Sequence, residues 1–265
     1  MASMATVGGR SLIVDFPNEP LTGADMEWNF VNQDSGEFFR ILLQAKKLYG
    51  SGKNWKTRSY RHLFHKPKSA SVLQAVTLSQ TAAQEAHTYP LYTFYNAGEV
   101  CGKVSRMDGT QLAGVSLSDG HIIARFVQLR FGCGEKKIKS LGFLYPWMFQ
   151  LSDLFCPESI IAPRPQAFSG VERPFYLMTQ TRGMLGMPTP PSPNTIRQRV
   201  KRIRETLFDG LELPKVPSVG TSIPPEVTQL LSHRRLPTGE FPSRIRAVFI
   251  SRDERRWEDV RPRSR

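Results

Sequence analysis

The sequence is poor in cysteine and contains no cysteine motif. Three cysteines occur among 265 residues, at Cys101, Cys133 and Cys156, an odd number with wide spacing. This pattern predicts neither a disulfide framework nor a Cys-x-x-Cys metal site. Because free thiols suit a reducing compartment, we expect a cytoplasmic protein.

Long apolar segments are also lacking. The longest, residues 141–149, is short and is interrupted by Pro146. Residues 1–10 contain no apolar stretch behind a basic start. The sequence therefore predicts no membrane span and no signal peptide.

Two common catalytic motifs are missing as well. The sequence has no Gly-x-x-x-x-Gly-Lys-Ser/Thr phosphate loop and no Gly-x-Ser-x-Gly elbow, and we find no internal repeats. The sequence motifs therefore predict neither nucleotide hydrolysis of the P-loop type nor serine-esterase chemistry.

Acidic residues are outnumbered by basic ones. There are 36 Lys and Arg against 23 Asp and Glu, which gives a net charge of +13. A positive surface field favours a polyanionic partner, so we expect a nucleic acid. The alternative from composition alone is a merely soluble basic protein.

The first part of the chain predicts three strands. Residues 11–16 are rich in β-branched side chains and end at Pro17, which cannot donate to a ladder. Residues 25–31 and 38–45 form the second and third strands, joined by the polar turn 32–36. The third is apolar on both faces, as expected of a central strand.

A helix and a further strand follow. A capping-box pattern at Ser71 predicts a helix with a face of small residues, and the aromatic run 89–96 predicts a strand behind it. The predicted order of elements is βββαβ. A helix between two strands of one sheet implies a crossover connection. A later helix is expected over 118–130, capped by Ser118.

Four polar side chains are placed to converge on this sheet. Asp25 and Glu27 are two apart on one predicted strand, and Gln44 and Lys46 are two apart on the next. Side chains two apart on a strand point to the same face. Two carboxylates beside a lysine at one sheet edge are typical of a metal-dependent phosphodiesterase.

An Asp on one strand and a Gln-x-Lys tripeptide on the next resemble the PD-(D/E)XK nuclease superfamily, in particular its Mrr-like branch, where Gln often replaces Glu. The wider pattern is Thr22-Gly-Ala-Asp25-Met-Glu27-Trp28, then Gln-Ala-Lys-Lys, then Pro-Leu-Tyr-Thr-Phe-Tyr-Asn. It is similar to an uncharacterised bacterial family regarded as part of that superfamily. The likeness covers about residues 10–97. It implies an α/β (α+β) fold with a restriction-endonuclease-like mixed sheet.

The resemblance also implies an activity, the metal-dependent hydrolysis of phosphodiester bonds, with DNA as the substrate and a bacterial defence or restriction role. Asp25 then binds Mg²⁺ or Mn²⁺, and the Gln44 oxygen or a neighbouring backbone carbonyl completes the site. Lys46 orients the attacking water or helps to deprotonate it. Because a neutral Gln supplies less negative charge than Glu, Glu27 or Glu19 is expected to compensate.

The sequence departs from the superfamily pattern at its start. The superfamily core begins with a helix that often supplies another acid, but only about ten residues precede the first predicted strand. Pro17 and Pro20 flank Glu19 and favour a turn there. Either the core is shortened or a later helix fills the gap. The second hypothesis is a catalytically inactive nuclease-like protein that binds nucleic acid or a protein, and the third is a plain interaction module.

Two basic segments are candidates for contact with nucleic acid. In the segment after Lys46, basic residues alternate with aromatic ones, which suits phosphate contacts and base stacking. A predicted helix after Thr195 carries the second group. The candidate residues are Lys47, Lys53, Lys56, Arg58, Arg61, Arg197 and Lys201. The alternative is an exposed loop and a solvated helix face.

Proline density suggests how the chain is divided. Fourteen of the 20 prolines lie from Pro163 onward. We predict a nuclease-like core over residues 10–160, a Pro-rich linker over 161–194, and a basic helix with an arginine-rich tail over 195–265. The tail, from residue 244 onward, is expected to be mobile.

Overall fold

A computed structural model describes nine parts of the chain. They are residues 12–15, 24–51, 56–66, 72–101, 103–105, 111–129, 134–156, 190–233 and 245–251. No helix within these parts is long and apolar enough to cross a membrane.

The described residues contain strands and helices in alternating groups. The strands are β1 Leu12–Asp15, β2 Met26–Asn32, β3 Phe38–Lys47, β4 Tyr49–Ser51, β5 Thr57–Ser59, β6 Thr88–Tyr95, β7 Val115–Asp119, β8 Phe149–Gln150 and β9 Ile245–Ser251. The helices are α1 Gln74–Gln84, α2 Gly120–Leu129, α3 Glu135–Ile138, α4 Leu141–Leu144, α5 Leu151–Phe155, α6 Pro193–Leu207 and α7 Pro225–His233. A 3₁₀ turn, Tyr145–Trp147, follows α4.

One mixed sheet of seven strands forms the centre of the fold. Its order is β1-β9-β2-β3-β6-β7-β8, while β4 and β5 form a separate hairpin. β2 and β3 are antiparallel, and β3 and β6 are parallel neighbours connected through α1. The prediction of a mixed α/β fold and of a crossover helix between two sheet strands is confirmed.

The two faces of the sheet are covered by different helices. Leu42, Tyr92 and Phe94 point to one face and are buried in a cluster with residues of α1 and α2. Trp28 and Ile41 point to the other face, in a cluster that includes two residues of α6. We call these the α1 face and the α6 face. Since side chains alternate along a strand, Gln44 and Lys46 lie on the α1 face with Leu42.

Two helix starts differ from their prediction. The N-cap of α1 is Leu73, which has an extended backbone and makes no side-chain capping bond. Ser71 lies outside the described residues. Ser118 belongs to β7, and the Asp119 carboxylate instead accepts the backbone N–H groups at the start of α2, at 2.7 Å from His121 N and 3.2 Å from Ile122 N. A carboxylate is favourable there because the helix N-terminus carries partial positive charge.

The C-terminal strand corrects one expectation. β9 lies between β1 and β2 and is in parallel register with β2 over seven residue pairs. Val248 is fully buried. The prediction of mobility from residue 244 onward is therefore wrong for residues 245–251, while the arginine-rich remainder lies outside the described residues, as do residues 161–189 of the predicted linker.

A buried ion cluster connects the middle of the sheet to its helices. Arg40 donates to Glu85 at 2.9 Å and to Glu226 at 2.5 Å, and its Nε lies 3.5 Å from a Glu27 oxygen. The same Glu27 oxygen lies 3.5 Å from Arg246 Nε of β9. Burial alone would lower the pKa of Arg40, but Glu27, Glu226 and Glu85 together raise it above its usual value. The cluster thus joins β2, β3, β9 and α7 and the end of α1.

Replacing Arg40 with methionine tests this cluster. The substitution keeps an apolar stem but leaves the buried Glu27 with less positive charge, so we expect a loss of about 3–5 kcal/mol in the free energy of unfolding. Urea unfolding followed by circular dichroism measures it. The control Arg202→Met, at an exposed helix position, should change stability by no more than about 0.5 kcal/mol. A change as small as the control's would contradict a stabilising role for Arg40.

Truncation tests the place of β9. A chain ending at residue 244 loses the strand between β1 and β2, so we expect no cooperative thermal unfolding. A chain ending at Ser251 removes the arginine-rich remainder but keeps β9, and it should unfold cooperatively. Equal melting curves for the two truncations would mean that β9 does not stabilise the sheet.

Candidate active site

Asp25 is held at the start of β2 by β3. Its backbone N–H donates to Leu43 O at 2.8 Å, and its Oδ2 accepts the Ala45 N–H, also at 2.8 Å. The same oxygen accepts a hydrogen bond from the Gln44 side-chain amide. The carboxylate is half-buried, so its position is set by β3 while part of it stays open to solvent.

Lys46 lies on the same face, two residues beyond Gln44. Its side chain is buried, and Nζ donates to Gln74 Oε1 at 2.8 Å. Burial lowers the pKa of Lys46 to about 8, although the negative charge of Asp25 opposes the shift. Asp25 and Lys46 are therefore close enough to interact, and a useful fraction of the amine is neutral near pH 7 to 8.

Gln74 and Tyr92 belong to this cluster, and sequence reasoning missed both. Gln74 is the first residue of α1, and Tyr92 is the partner of Gln44 in the β3–β6 ladder. Burial, followed by the charge of Asp25, raises the pKa of Tyr92. The only sequence signal was a tyrosine at alternate spacing in an apolar run, which is equally typical of a core residue.

Two buried polar atoms of the cluster have no hydrogen-bond partner among the described residues, Gln44 Oε1 and the Tyr92 hydroxyl. A buried polar group without a partner costs about 1–3 kcal/mol. Such atoms in a native protein suggest a bound water or ion. Gln44 and Tyr92 lie beside Asp25, so the three polar side chains are grouped at the same place in the sheet. We call Asp25, Gln44, Lys46, Gln74 and Tyr92 the Asp25 cluster.

Glu27 is not part of the Asp25 cluster, contrary to the prediction. It is buried, accepts a hydrogen bond from Asn29 at 2.8 Å, and lies in the ion cluster between Arg40 and Arg246. The alternation argument placed Glu27 on the correct face. What it could not show is that β9 brings Arg246 beside that carboxylate. Glu19 lies outside the described residues.

The protein belongs to DUF6615, a family of unknown function whose sequence model matches residues 1–256. No curated protein and no solved structure matches the chain. Because the function of this family is unknown, the function of this DUF6615 member is inferred from the geometry of its side chains.

The basic residues predicted for this DUF6615 protein fall into two groups. Lys47 is exposed at the end of β3, beside the Asp25 cluster, and Lys56, Arg58 and Arg61 line a groove near the same end of the sheet. Lys53 lies outside the described residues. The segment that carries Lys56, Arg58 and Arg61 packs on the α1 face, where Lys46 lies, through Tyr60 and Leu63. Lys47 is the next residue after Lys46 in β3 and points to the other face.

The second group is on α6, which covers the opposite face of the sheet. Arg197 donates to Pro217 O at 2.7 Å, and exposed Lys201 lies 3.7 Å from Glu205. The stripe through Ile196 and Val200 turns this helix toward the α6 face. These two cations therefore lie apart from the first group, and their contact with nucleic acid stays a prediction.

Titration of Lys46 tests the electrostatics of the Asp25 cluster. Because Asp25 opposes the effect of burial, Asp25→Asn should lower the pKa of Lys46 further below about 8. The ¹³Cε shift of labelled lysine followed against pH measures it. The control Asp34→Asn, in the exposed turn after β2, should leave the titration unchanged. An unchanged or raised pKa in Asp25→Asn would show that the two groups do not interact.

Proposed function

We propose that this protein is a metal-dependent nuclease of the PD-(D/E)XK type that hydrolyses phosphodiester bonds of DNA. The observation that carries the proposal is the meeting of Asp25, Gln44 and Lys46 on one face of two adjacent strands, with the pKa of the Lys46 amine lowered to about 8. A carboxylate, an amide and a partly neutral amine from neighbouring strands suit phosphodiester hydrolysis better than a purely structural role, because burying them is costly.

Lys46 acts as the general base in this proposal. Its neutral amine accepts a proton from water as the water oxygen attacks phosphorus, the bond from phosphorus to the leaving oxygen breaks, and that oxygen takes a proton from solvent. An amine with a pKa near the working pH is suited to this role. Gln74 holds Nζ in place through its 2.8 Å hydrogen bond.

The residues present fit a weakly held Mg²⁺. Asp25 offers a partly exposed carboxylate, and Gln44 has a buried oxygen without a partner in the described structure. With its side-chain amide rotated by half a turn, Gln44 would present this oxygen next to Asp25, and these two residues would hold the cation. Mg²⁺ accepts sites with one or two protein ligands, waters and substrate phosphate oxygens. When bound, it would stabilise the charge that develops on the phosphoryl oxygens.

The arrangement of the sheet is consistent with a restriction-endonuclease-like core. β2, β3, α1 and β6 follow one another as the resemblance implies, and α6 covers the opposite face late in the chain. This supports the alternative in which a later helix fills the gap left by the first core helix, which the sequence does not predict. The acid on α6, Glu205, is exposed beside Lys201 and brings no carboxylate to Asp25.

A catalytically inactive nuclease-like binder is the second candidate. It is favoured by the ligand set, because no group of three or more His, Cys, Asp or Glu suited to a metal occurs among the described residues. It is also favoured by Glu27, whose carboxylate is engaged in the ion cluster.

Plasmid cleavage distinguishes the two. Purified protein with Mg²⁺ or Mn²⁺ should nick or cut supercoiled plasmid, and Lys46→Met should reduce the rate by roughly 10²–10⁴-fold, as expected for loss of a general base. Methionine preserves the apolar stem, and Lys215→Met, at an exposed position after α6, is the control that should keep activity. Cutting retained in both Lys46→Met and Asp25→Ala would end the nuclease proposal.

The pH dependence follows from the Lys46 pKa. At pH values below the Lys46 pKa of about 8, the neutral fraction of the amine rises tenfold per pH unit. The rate of single-turnover cleavage should therefore rise with pH and level off near pH 8. Cleavage measured between pH 6 and 9 gives the profile. A rate that falls above pH 8 would instead assign Lys46 a role as a cation.

A further inference from the structure

We propose that the groove between β5 and the α3–α4 segment binds the phosphodiester backbone of one nucleic acid strand and leads it to the Asp25 cluster. This proposal rests on the proposed nuclease function, since it names the path of the same substrate. The groove has a volume of about 1040 Å³. We call it the β5 groove.

Positive charge dominates the β5 groove. Five cationic side chains and one carboxylate line it: Lys56, Arg58, Arg61, Lys136 and Lys139, with Glu135. Three hydroxyl side chains, Thr57, Ser59 and Ser140, lie among them. Lysine, arginine and hydroxyl side chains are the usual contacts of the phosphate backbone. The composition therefore fits a polyanion better than an apolar ligand.

The walls of the β5 groove are connected by backbone hydrogen bonds. Ser59 and Ser140 form an isolated antiparallel bridge, and Tyr60 N donates to Lys139 O at 2.8 Å. The Tyr60 ring is fully buried, and its hydroxyl donates to Asn96, just after β6, at 2.5 Å. Because both walls are held against the sheet, the backbone segments that carry the cations are in place before any ligand arrives, which reduces the entropic cost of binding.

The groove leads toward the Asp25 cluster by two connections. Arg61 stacks over the Tyr49 ring at 5.0 Å, and Tyr49 is three residues beyond Lys46. At about 3.3 Å per residue this separation is roughly 10 Å, or about three nucleotides at the ~3.4 Å axial rise of one strand. In addition, Gln74 N donates to His65 O at 3.0 Å, and the Gln74 side chain holds Lys46.

The cations of α6 are less suited to this role. On α6, Arg199 donates to Leu154 O at 2.8 Å, and Arg204 donates to Pro214 O, so these side chains bind the protein's own backbone. That helix also lies on the face opposite the Asp25 cluster. We therefore assign the path of the nucleic acid strand to the β5 groove. The exposed cations of α6 serve as the matched control.

Binding of labelled DNA tests the inference. The probes are a fluorescein-labelled 20-nucleotide single strand and its duplex, and anisotropy is measured in Ca²⁺ from 50 to 300 mM NaCl. The variant is Lys136→Ala/Lys139→Ala, which leaves the Asp25 cluster unchanged. The control is Lys201→Ala/Arg202→Ala, two exposed cations of α6. Poly-glutamate of similar charge is the competitor that represents an acidic protein.

We expect the groove variant to bind more weakly than wild type. The slope of log K against log salt concentration should be smaller in magnitude by about 1.8 for the duplex and about 1.4 for the single strand, because two phosphate contacts are lost. The control should retain the wild-type slope. An unchanged affinity and slope in the groove variant would overturn the inference, as would poly-glutamate competing as well as DNA.

The same proteins separate this inference from the nuclease proposal. If wild type binds DNA through the groove but does not cut plasmid in Mg²⁺ or Mn²⁺, the β5 groove stands and the catalytic role of Lys46 fails. If wild type cuts plasmid and the groove variant binds and cuts like wild type, the nuclease proposal stands and the groove is wrong.

Discussion

The pairing of β2 with β3 is the constraint on which the candidate site depends. Met26 lies opposite Leu43, so Asp25 meets the Gln44 amide and the Ala45 N–H. A slip of one residue would turn Gln44 and Lys46 to the α6 face and separate them from Asp25. Apolar side chains such as Ile41, which must face a buried layer, make such a slip costly.

Burial and neighbouring charges give the two cationic side chains of β3 on the α1 face, Arg40 and Lys46, different properties. Arg40 is surrounded by three carboxylates, which raise its pKa and keep it charged. Lys46 faces one half-buried carboxylate and a neutral glutamine, so burial prevails and its pKa falls. The first environment stabilises the connection of strands and helices. The second holds a group that can exchange a proton near neutral pH.

Prediction succeeded where the pattern is local. The strands around Trp28 and Ile41, the crossover helix and the parallel strand that follows it could be predicted because their signals lie within short windows. The placement of β9 could not be predicted, since a short arginine-flanked run resembles an exposed tail. Its position beside β2 also explains why Glu27 is paired with Arg246 and not grouped with Asp25.

The sequence by itself determined the face of the sheet for Asp25, Gln44 and Lys46, because side-chain alternation along a strand is a local property. Only the tertiary structure decided their partners. It brought Gln74 from α1 to Lys46 and Tyr92 to the strand beside Gln44. It also placed α6 on the opposite face. These contacts join residues distant in the chain, and they depend on strand order and helix packing, which a linear pattern of residue types does not specify.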